Sequence, residues 1–316
     1  MKIAIIGPGA MGLFFAARLQ ESGQEVWLLD YRPERTAHLK QHALRLITLD
    51  GEDRDYYLNV VYEAHAIGPC DLTLVTVKAH QTEAAAAQLP LLMADGGVAL
   101  TLQNGIGNLE TMAAVVGPER LLAGVTTLGV TLLEIGRIRH AGQGPVLIGR
   151  PPGALVTDET LRLIVEVFRG AGLDCRETAD IMAAVWDKLL INVGINSVTA
   201  LTRLRNGQLL IAPEAWRVAS AAVQEAWQTA LASGVKPSPE PLSRMRQVCQ
   251  ATANNRSSML QDVLAKRQTE IDAINGQIVR LGITLQVATP INALLTDLIK
   301  ALELGLVSGA TNVISE

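Results

Sequence analysis

Residues 2–12 read KIAIIGPGAMG, a short apolar run that leads into a glycine-rich loop. The loop fits G-x-G-x-x-G, and a helix-like stretch follows from Leu13 to Glu21. Between a strand and a helix, such glycines allow a tight turn, close approach of the backbone to a pyrophosphate, and close helix–strand packing. The helix N-terminus offers unpaired N–H groups to the anion. The stretch therefore predicts a dinucleotide-binding loop, with an ordinary tight turn as the alternative. The loop residues are Gly7, Pro8, Gly9, Ala10, Met11 and Gly12.

Short continuous apolar runs alternate with helix-like stretches through the first half of the chain. Further runs lie at Glu25–Leu29, Asp71–Val77 and Val98–Leu102, with an alanine-rich stretch from Thr82 to Leu92. Continuous runs are typical of strands buried on both faces, and their alternation with helices predicts a doubly wound α/β domain. Glycines become frequent from Val125 to Ile148, where we expect antiparallel hairpins that close the sheet.

The second half has helical character. A helix is expected at Asp158–Gly170 and a short strand near Leu173, before long stretches with helical spacing begin. Proline stands early in several of these stretches, as at a first helical turn. We therefore predict a Rossmann-type α/β domain at 1–178 and an all-helical domain at 179–316, whose last residues, Gly305–Glu316, are loosely ordered. The predicted helices are Met182–Arg203, Pro213–Ser233, Pro241–Asn254, Ser257–Leu281 and Pro290–Leu304.

Composition excludes several classes of function. The 27 basic residues are balanced by 31 acidic ones and aromatic residues make up 3%, which argues against nucleic-acid binding. Mean hydropathy is +0.25, yet the best candidate stretches, such as 189–201, are interrupted by polar residues, so no membrane span of about 20 residues is expected. Three dispersed cysteines fit a reducing compartment, and the five histidines show no metal spacing. Without a signal-peptide layout, a soluble cytoplasmic protein with no metal is expected.

The end of the second predicted strand carries two conflicting cofactor signals. Asp30 lies about 20 residues after the loop, where an acid binds the ribose hydroxyls of NAD. Arg32 and Arg35 follow, and an arginine there can pair with the 2′-phosphate of NADP. For Arg35 a solvated loop charge is the favoured interpretation. The residues alone leave the choice between NAD(H) and NADP(H) open.

A polar line crosses an otherwise apolar predicted helix. Lys188, Asn192 and Asn196 are spaced by four, so they share one face. If the helix is buried, these groups need polar partners, and a polar substrate could supply them. The solvent face of an amphipathic helix is an equally good interpretation. A second four-residue series, Ser258, Asp262, Lys266 and Glu270, is weaker, because Asp262–Lys266 fits an ordinary surface pair.

Taken jointly, the motifs resemble the ketopantoate reductase (2-dehydropantoate 2-reductase) family from the first residue to about Leu304. The family is a Rossmann domain followed by an all-helical domain, and its members reduce 2-dehydropantoate to (R)-pantoate with NADPH on the route to pantothenate and coenzyme A. The motifs that carry the resemblance are GPGAMG at 7–12, VTVKA at 75–79, LQNGIG at 102–107, WDKL at 186–189 with Asn192 and Asn196, SSMLQD at 257–262, TEID at 269–272 and ING at 274–276.

The resemblance implies roles for individual residues. Lys188 matches the catalytic lysine, a general acid that also polarises the ketone. Substrate binding is implied for Asn192, Asn196, Asn206 and Ser258. Cofactor binding is implied for the loop residues, Lys78, Asn104, Ala141 and Glu270. Asp30 and Arg32 are further cofactor-binding candidates because of their place after the second predicted strand.

The sequence departs from the family pattern in two places. Asp30 and Tyr31 occupy the stretch where the family commonly has an arginine for the 2′-phosphate. Asp187 precedes Lys188 where a basic residue is common. A reductase of another branched 2-keto acid, or a non-catalytic nucleotide sensor, remain the alternative functions. The expected partner is a small keto acid, bound in a cleft between the domains of a monomer or homodimer.

Overall fold

A computed structural model of the protein describes residues 1–308. The strands, in chain order, are β1 (Lys2–Ile6), β2 (Glu25–Leu29), β3 (Leu44–Ile47), β4 (Asp53–Tyr56), β5 (Asn59–Val61), β6 (Cys70–Val75), β7 (Met93–Thr101), β8 (Leu121–Thr126), β9 (Gly129–Glu134), β10 (Arg137–Gly142), β11 (Val146–Gly149) and β12 (Cys175–Glu177). The α-helices are α1 (Ala10–Glu21), α2 (Pro33–Gln41), α3 (Thr82–Ala86), α4 (Leu89–Leu92), α5 (Asn108–Val116), α6 (Asp158–Gly170), α7 (Ile181–Thr202), α8 (Pro213–Ala232), α9 (Pro241–Ala251), α10 (Ser258–Leu264), α11 (Asn275–Leu285) and α12 (Pro290–Ser308).

The chain divides into two compact units. Unit 1 comprises Met1–Gln103 and Asn108–Ile181, and unit 2 comprises the chain from Met182 onward together with Asn104–Gly107. The short segment Asn104–Gly107 thus belongs to the helical unit although it follows a strand of the α/β unit. The boundary that the sequence suggests, between residues 178 and 179, stays a prediction.

The large sheet of unit 1 confirms the predicted α/β fold. Its order is β12-β11-β8-β7-β6-β1-β2-β5, and the six strands from β8 to β5 are parallel. β1 lies between β2 and β6, and its side chains Ile3 and Ile5 are fully buried. From β1 the chain builds the sheet first in one direction, through β2 and β5, and then in the other, through β6, β7 and β8. Ligands of open α/β sheets bind at the carboxyl ends of the strands where the strand order changes direction in this way. The glycine-rich loop follows β1 at this end.

The region from Val125 to Ile148 differs in part from its prediction. β8 and β11 do form an antiparallel pair in the large sheet, but the β9–β10 hairpin does not close that sheet. It joins β3 and β4 in a separate four-stranded sheet of order β4-β3-β10-β9. One face of the hairpin packs on α1, where the rings of Phe14 and His140 lie 4.7 Å apart.

Unit 2 is built around α7. Its side chains Trp186, Leu189 and Val193 are almost fully buried among those of neighbouring helices. Within residues 1–308, α7 is the one helix long and apolar enough to suit a membrane span, and 56% of its most apolar 18-residue window is buried in the protein. The helix α7 forms part of the hydrophobic core of unit 2.

Two predictions for the helical region are wrong. The stretch 257–281 is not one helix: α10 ends near Leu264, a 3-10 turn spans Ile271–Ala273, and α11 follows. Lys266 has a φ of +52°, a left-handed conformation that a continuing helix does not adopt. The last helix continues past Gly305 to Ser308, so that part of the expected loose tail is helical; residues 309–316 lie outside the described part.

Candidate active site

The glycine-rich loop has the geometry that a pyrophosphate requires. Gly7 has a φ of +103°, and an added Cβ at Gly12 would lie 2.1 Å from the Gly7 carbonyl oxygen, so neither position tolerates a side chain. At Gly9 no heavy atom of the described residues lies within 4 Å of the Cβ position, so this backbone is open. No described side chain caps the start of α1. Open backbone beside an uncapped helix N-terminus fits an anionic cofactor group.

Two residues of the VTVKA motif, to which the sequence analysis gave no individual role, hold this loop. The Thr76 hydroxyl donates to the carbonyl oxygens of Gly7, at 2.9 Å, and of Ile6, at 3.1 Å. Val77 packs so closely that a Cβ on Gly7 would lie 2.6 Å from its Cγ1. Both residues stand directly after β6, the neighbour of β1. A polar residue at the end of an adjacent parallel strand is the sequence signal that could have identified Thr76.

The other predicted cofactor residues of unit 1 lie at strand ends and on the second sheet. Lys78 is half-buried just after β6, and Arg32 is exposed at the start of α2. Ala141 is exposed on β10 in the four-stranded sheet. Asp30 is fully buried, and its carboxylate accepts hydrogen bonds from both Nε and Nη2 of Arg35. The interpretation of Arg35 as a solvated loop charge is therefore wrong.

The polar line of α7 is not a solvent face. Lys188 and Asn192 are half-buried, and Asn196 is 4% exposed. Neither the Lys188 ammonium nor the Asn192 amide forms a hydrogen bond or ion pair with another described residue. Polar groups in such surroundings are stabilised when a polar ligand or water pairs with them. Burial thus removes the solvent-face interpretation for this stripe.

Lys188 has a strongly shifted pKa. Burial lowers the pKa of its ammonium from 10.5 to about 8, and the Glu270 carboxylate partly opposes that decrease. A group with a pKa close to neutrality can both release and recover a proton at physiological pH. Asp187, next in sequence, is directed elsewhere: its carboxylate accepts from Ser238 N at 2.7 Å and pairs with Arg244.

Glu270 and Asn104 meet within unit 2. The Asn104 side chain donates from Nδ2 to Oε2 of Glu270 at 3.2 Å, and Glu270 is 6% exposed. Next to this contact, Ile106 N donates to the Ala273 carbonyl oxygen at 3.2 Å. The segment Asn104–Gly107 is thereby fixed on the turn that precedes α11. The structure thus brings Asn104, Glu270 and Lys188 into one electrostatic group.

Ser258 lies beside the stripe, and its neighbour Ser257 holds it there. Asn196 donates from Nδ2 to the Ser258 hydroxyl at 3.4 Å, a long and weak hydrogen bond. Ser257 accepts from Leu260 N at 3.1 Å as the N-cap of α10, and its hydroxyl lies 2.7 Å from that of Thr199 on α7. The sequence analysis did not single out Ser257 or Thr199, which tie α10 to the polar face of α7.

Asn206 lies apart from the stripe in its contacts, and one predicted ion pair does not form. Asn206 is buried and its side chain donates to the Thr252 hydroxyl at 2.9 Å, at the end of α9 and not at the stripe. Its Oδ1 is buried and has no hydrogen-bond partner among residues 1–308. The expected Asp262–Lys266 pair is wrong, because Asp262 pairs with Arg267 at 3.1 Å. The left-handed backbone at Lys266 breaks the helical spacing on which that pair depended.

Together these features define a class of protein. The α/β unit has a nucleotide-binding glycine loop, and the helical unit has a group of lysine, amide and carboxylate side chains. These features are typical of a nicotinamide-dependent reductase. The lysine can donate a proton to a carbonyl oxygen as hydride reaches its carbon. Within residues 1–308 no cluster of three His, Cys, Asp or Glu side chains could hold a metal ion.

Comparison with known proteins identifies the family. The models "Ketopantoate reductase PanE/ApbA" and "Ketopantoate reductase PanE/ApbA C terminal" match residues 3–153 and 180–303, so the chain belongs to the ketopantoate reductase family. It is similar to the 2-dehydropantoate 2-reductase of Halobacterium salinarum, with 36% identity over 95% of this chain and 98% of that one. It is an oxidoreductase of the ketopantoate reductase type that acts on a 2-keto acid.

Two solved structures resemble the chain closely. A family ketopantoate reductase from Ralstonia eutropha is 29% identical, with a TM-score of 0.87 over 97% of this chain and 99% of that one. A D-mandelate dehydrogenase solved with NADH and anilino(oxo)acetate is 27% identical, with a TM-score of 0.90 over the same shares. The fold therefore serves more than one substrate, and a nicotinamide cofactor is common to the group.

Proposed function

We propose that this protein reduces 2-dehydropantoate to (R)-pantoate with NADPH, in the cytoplasmic synthesis of pantothenate and coenzyme A. The observation that carries the proposal is Lys188, with a pKa of about 8, on the same face of α7 as Asn192 and Asn196. The names of the similar curated proteins support the substrate. The contacts of the other site residues support separate roles for them in binding the substrate and the cofactor.

Lys188 acts as the general acid. When bound, the nicotinamide supplies the hydride that adds to the carbonyl carbon of the keto acid. The Lys188 ammonium stabilises the negative charge that grows on the carbonyl oxygen and transfers its proton to that oxygen. With a pKa of about 8, Lys188 is mostly protonated at neutral pH, and its neutral form takes a proton from solvent afterwards.

The amides and the serine orient the substrate. Asn192 has no described protein partner, so its amide is available to the carboxylate or the terminal hydroxyl of the keto acid. The 3.4 Å contact between Asn196 and Ser258 is weak enough for both groups to exchange it for a substrate oxygen. Asn206, with its buried unpaired Oδ1, is a further substrate residue only if it rotates or binds through water.

Several of the predicted residues hold the cofactor. The loop at 7–12 accepts the pyrophosphate, Lys78 and Asn104 act toward the nicotinamide end, and Glu270 fixes Asn104. Ala141 contributes through its backbone. NADPH is the proposed cofactor, and NADH stays the alternative that the acidic residue Asp30 raised. The protein works as a monomer or homodimer without nucleic acid or membrane.

A second candidate function keeps the chemistry and changes the substrate. The structural similarity to a D-mandelate dehydrogenase favours a reductase of another 2-keto acid, because proton donation by Lys188 does not depend on the rest of the keto acid. The side chains around the substituent would then decide specificity. A nucleotide sensor without catalysis is the remaining alternative, and the shifted pKa of Lys188 argues against it.

A substrate panel tests the proposal. Purified protein is given NADPH or NADH with 2-dehydropantoate, 2-oxoisovalerate or phenylglyoxylate, and loss of reduced nicotinamide is followed. We expect the highest kcat/KM for 2-dehydropantoate with NADPH. A higher kcat/KM for another keto acid would contradict the substrate and leave the reaction class intact. Cofactor binding without turnover of any keto acid would favour the sensor.

A further inference from the structure

Asp30 and Arg35 form an ion pair at the end of β2, where the sequence carries conflicting signals for NAD(H) and NADP(H). The Asp30 carboxylate is 0% exposed. Its Oδ1 accepts from Nη2 of Arg35 at 2.6 Å and from the backbone N–H of Arg32 at 3.0 Å, and its Oδ2 accepts from Nε of Arg35. The Asp30 backbone is fixed as well, because its N–H donates to Val61 O at 2.9 Å and its carbonyl accepts from Thr36.

This arrangement is incompatible with Asp30 as a ribose ligand. An acid that recognises the adenosine ribose of NAD must present its oxygens to the two hydroxyls. Both Asp30 oxygens are instead turned to Arg35 and the start of α2 within the protein. Freeing them would leave a partly buried guanidinium without its counter-ion, which is strongly unfavourable.

Arg35 is held with part of its hydrogen-bonding capacity unused. Two of the five N–H donors of its planar guanidinium bind Asp30, and the side chain makes no other hydrogen bond among residues 1–308. The side chain is 17% exposed, so the remaining donors are not sealed from ligand. A fork fixed on one edge by a carboxylate is preorganised to bind a phosphate with the other.

Arg32 and a helix N-terminus add to the positive charge at the same place. The exposed Arg32 guanidinium stacks 5.7 Å above the centre of the Tyr31 ring, and Arg32 is the N-cap of α2. No described side chain caps that helix, whose start favours an anion. Glu34, the acid of the first turn, is exposed to solvent. Arg32 and Arg35 thus balance Asp30 and Glu34, and the buried Asp30 carboxylate is turned toward Arg35 and not toward a ligand.

We propose that Asp30 is a positioning residue that fixes Arg35, and that Arg35 together with Arg32 binds the 2′-phosphate of NADP(H). The aspartate, which in sequence argues for NADH, thus serves selection of NADPH in the fold. The inference rests on the proposed function only in taking a nicotinamide dinucleotide as the cofactor.

Binding of two adenosine fragments tests this without catalysis. Titration calorimetry compares adenosine 2′,5′-bisphosphate with 5′-AMP, which differ by the 2′-phosphate alone. We expect the bisphosphate to bind at least about tenfold more tightly, the scale of a charge-assisted bidentate contact. Arg35→Ala should abolish most of this preference while leaving 5′-AMP affinity unchanged. Equal affinity of the wild type for both fragments would overturn the proposal.

The role of Asp30 is tested by Asp30→Asn, which keeps its shape and removes its charge. We expect the preference for the bisphosphate to decrease and 5′-AMP affinity to stay, because Arg35 loses its counter-ion. Weakening of 5′-AMP by the same factor as the bisphosphate would show that Asp30 binds the ribose and contradict the proposal. If Asp30→Asn fails to fold, Arg35→Lys provides the test, because it keeps the positive charge and removes the planar guanidinium. We expect Arg35→Lys to lower the preference for the bisphosphate over 5′-AMP. An unchanged preference would overturn the proposal.

A charge-matched control is Arg45→Ala. Arg45 lies in the same unit, in an exposed pair with Asp55 at 3.5 Å, and its removal changes net charge without touching Asp30. The preference should be unaffected, as expected for screened surface charge. Since neither fragment contains nicotinamide, absence of keto acid turnover with intact preference would reject only the proposed function. Turnover without the preference would reject only this inference.

Discussion

Asn104 and Glu270, 166 residues apart in the chain, are joined by a hydrogen bond of 3.2 Å from Nδ2 to Oε2. The bond fixes a nearly buried carboxylate whose charge opposes the effect of burial on Lys188. Without Glu270, burial alone would lower the Lys188 pKa further and leave less of the protonated acid at neutral pH. The carboxylate thus adjusts the acid strength of the lysine, while the amide fixes the carboxylate.

Glu270→Gln should shift the pH dependence of keto acid reduction to lower pH. The substitution keeps an oxygen acceptor for Asn104 and removes the negative charge that raises the Lys188 pKa. The rate should therefore fall at a lower pH than in the wild type, as a pH series of kcat would show. Asp187→Asn is the control, since Asp187 is engaged by Ser238 and Arg244 and should leave the profile in place. A shift to higher pH in Glu270→Gln would contradict the account.

Lys188→Ala should lower kcat by about 10²–10⁴-fold, the usual contribution of a general acid. Affinity for NADPH, measured by fluorescence quenching, should stay within about twofold, because the glycine loop of unit 1 is unaltered. Loss of cofactor affinity together with a normal kcat would show that Lys188 binds cofactor instead of donating the proton.

Two asparagines of unit 2 should respond differently to alanine. Asn192→Ala should weaken keto acid binding by about 1–3 kcal/mol and change the free energy of unfolding by less than about 0.5 kcal/mol, because its amide has no described protein partner. Asn292→Ala should lower the free energy of unfolding by about 1–3 kcal/mol, because fully buried Asn292 bonds Ala222 O and Glu225. Denaturant titration and KM measurement separate the two, and equal loss of stability would contradict the assignment of Asn192.

Adjacent serines offer a second matched pair. Ser257→Ala should lower the free energy of unfolding by about 1 kcal/mol, because Ser257 is a buried N-cap. Ser258→Ala should change stability by less than about 0.5 kcal/mol and raise the KM for the keto acid, because Ser258 is exposed at the start of α10. If Ser258→Ala changed stability and not KM, its assignment to the substrate would be wrong.

Much of the fold could be predicted because its signals are local. Continuous apolar runs mark the buried parallel strands, and four-residue spacing places Lys188, Asn192 and Asn196 on one helix. β3 and β4 gave no such signal: the sequence of β4 is DRDY, and three of its four residues are exposed. The pairing of β3 with β10, and of β4 with β3, is set by tertiary contacts, which hydrophobic periodicity does not report.

The site was predictable in composition and not in geometry. The four-residue series from Ser258 to Glu270 assumed one helix, and a single left-handed residue, Lys266, ends that helix. Arg35 was interpreted as a surface charge because nothing in the sequence shows that Asp30 is buried beneath it. Partners of a buried charge are chosen by the fold, so spacing alone could not assign them.

The pH dependence of single-turnover reduction of 2-dehydropantoate by NADPH tests the central claim, that Lys188 donates the proton, most directly. The Lys188 pKa is lowered from 10.5 to about 8, so the protonated acid is present below that pH and lost above it. Single turnover keeps product release from masking the chemical step. The account predicts a rate that falls as pH rises through about 8, and a rate of pantoate oxidation that rises over the same range. A reduction rate that stays constant from about pH 6 to pH 10 would contradict it.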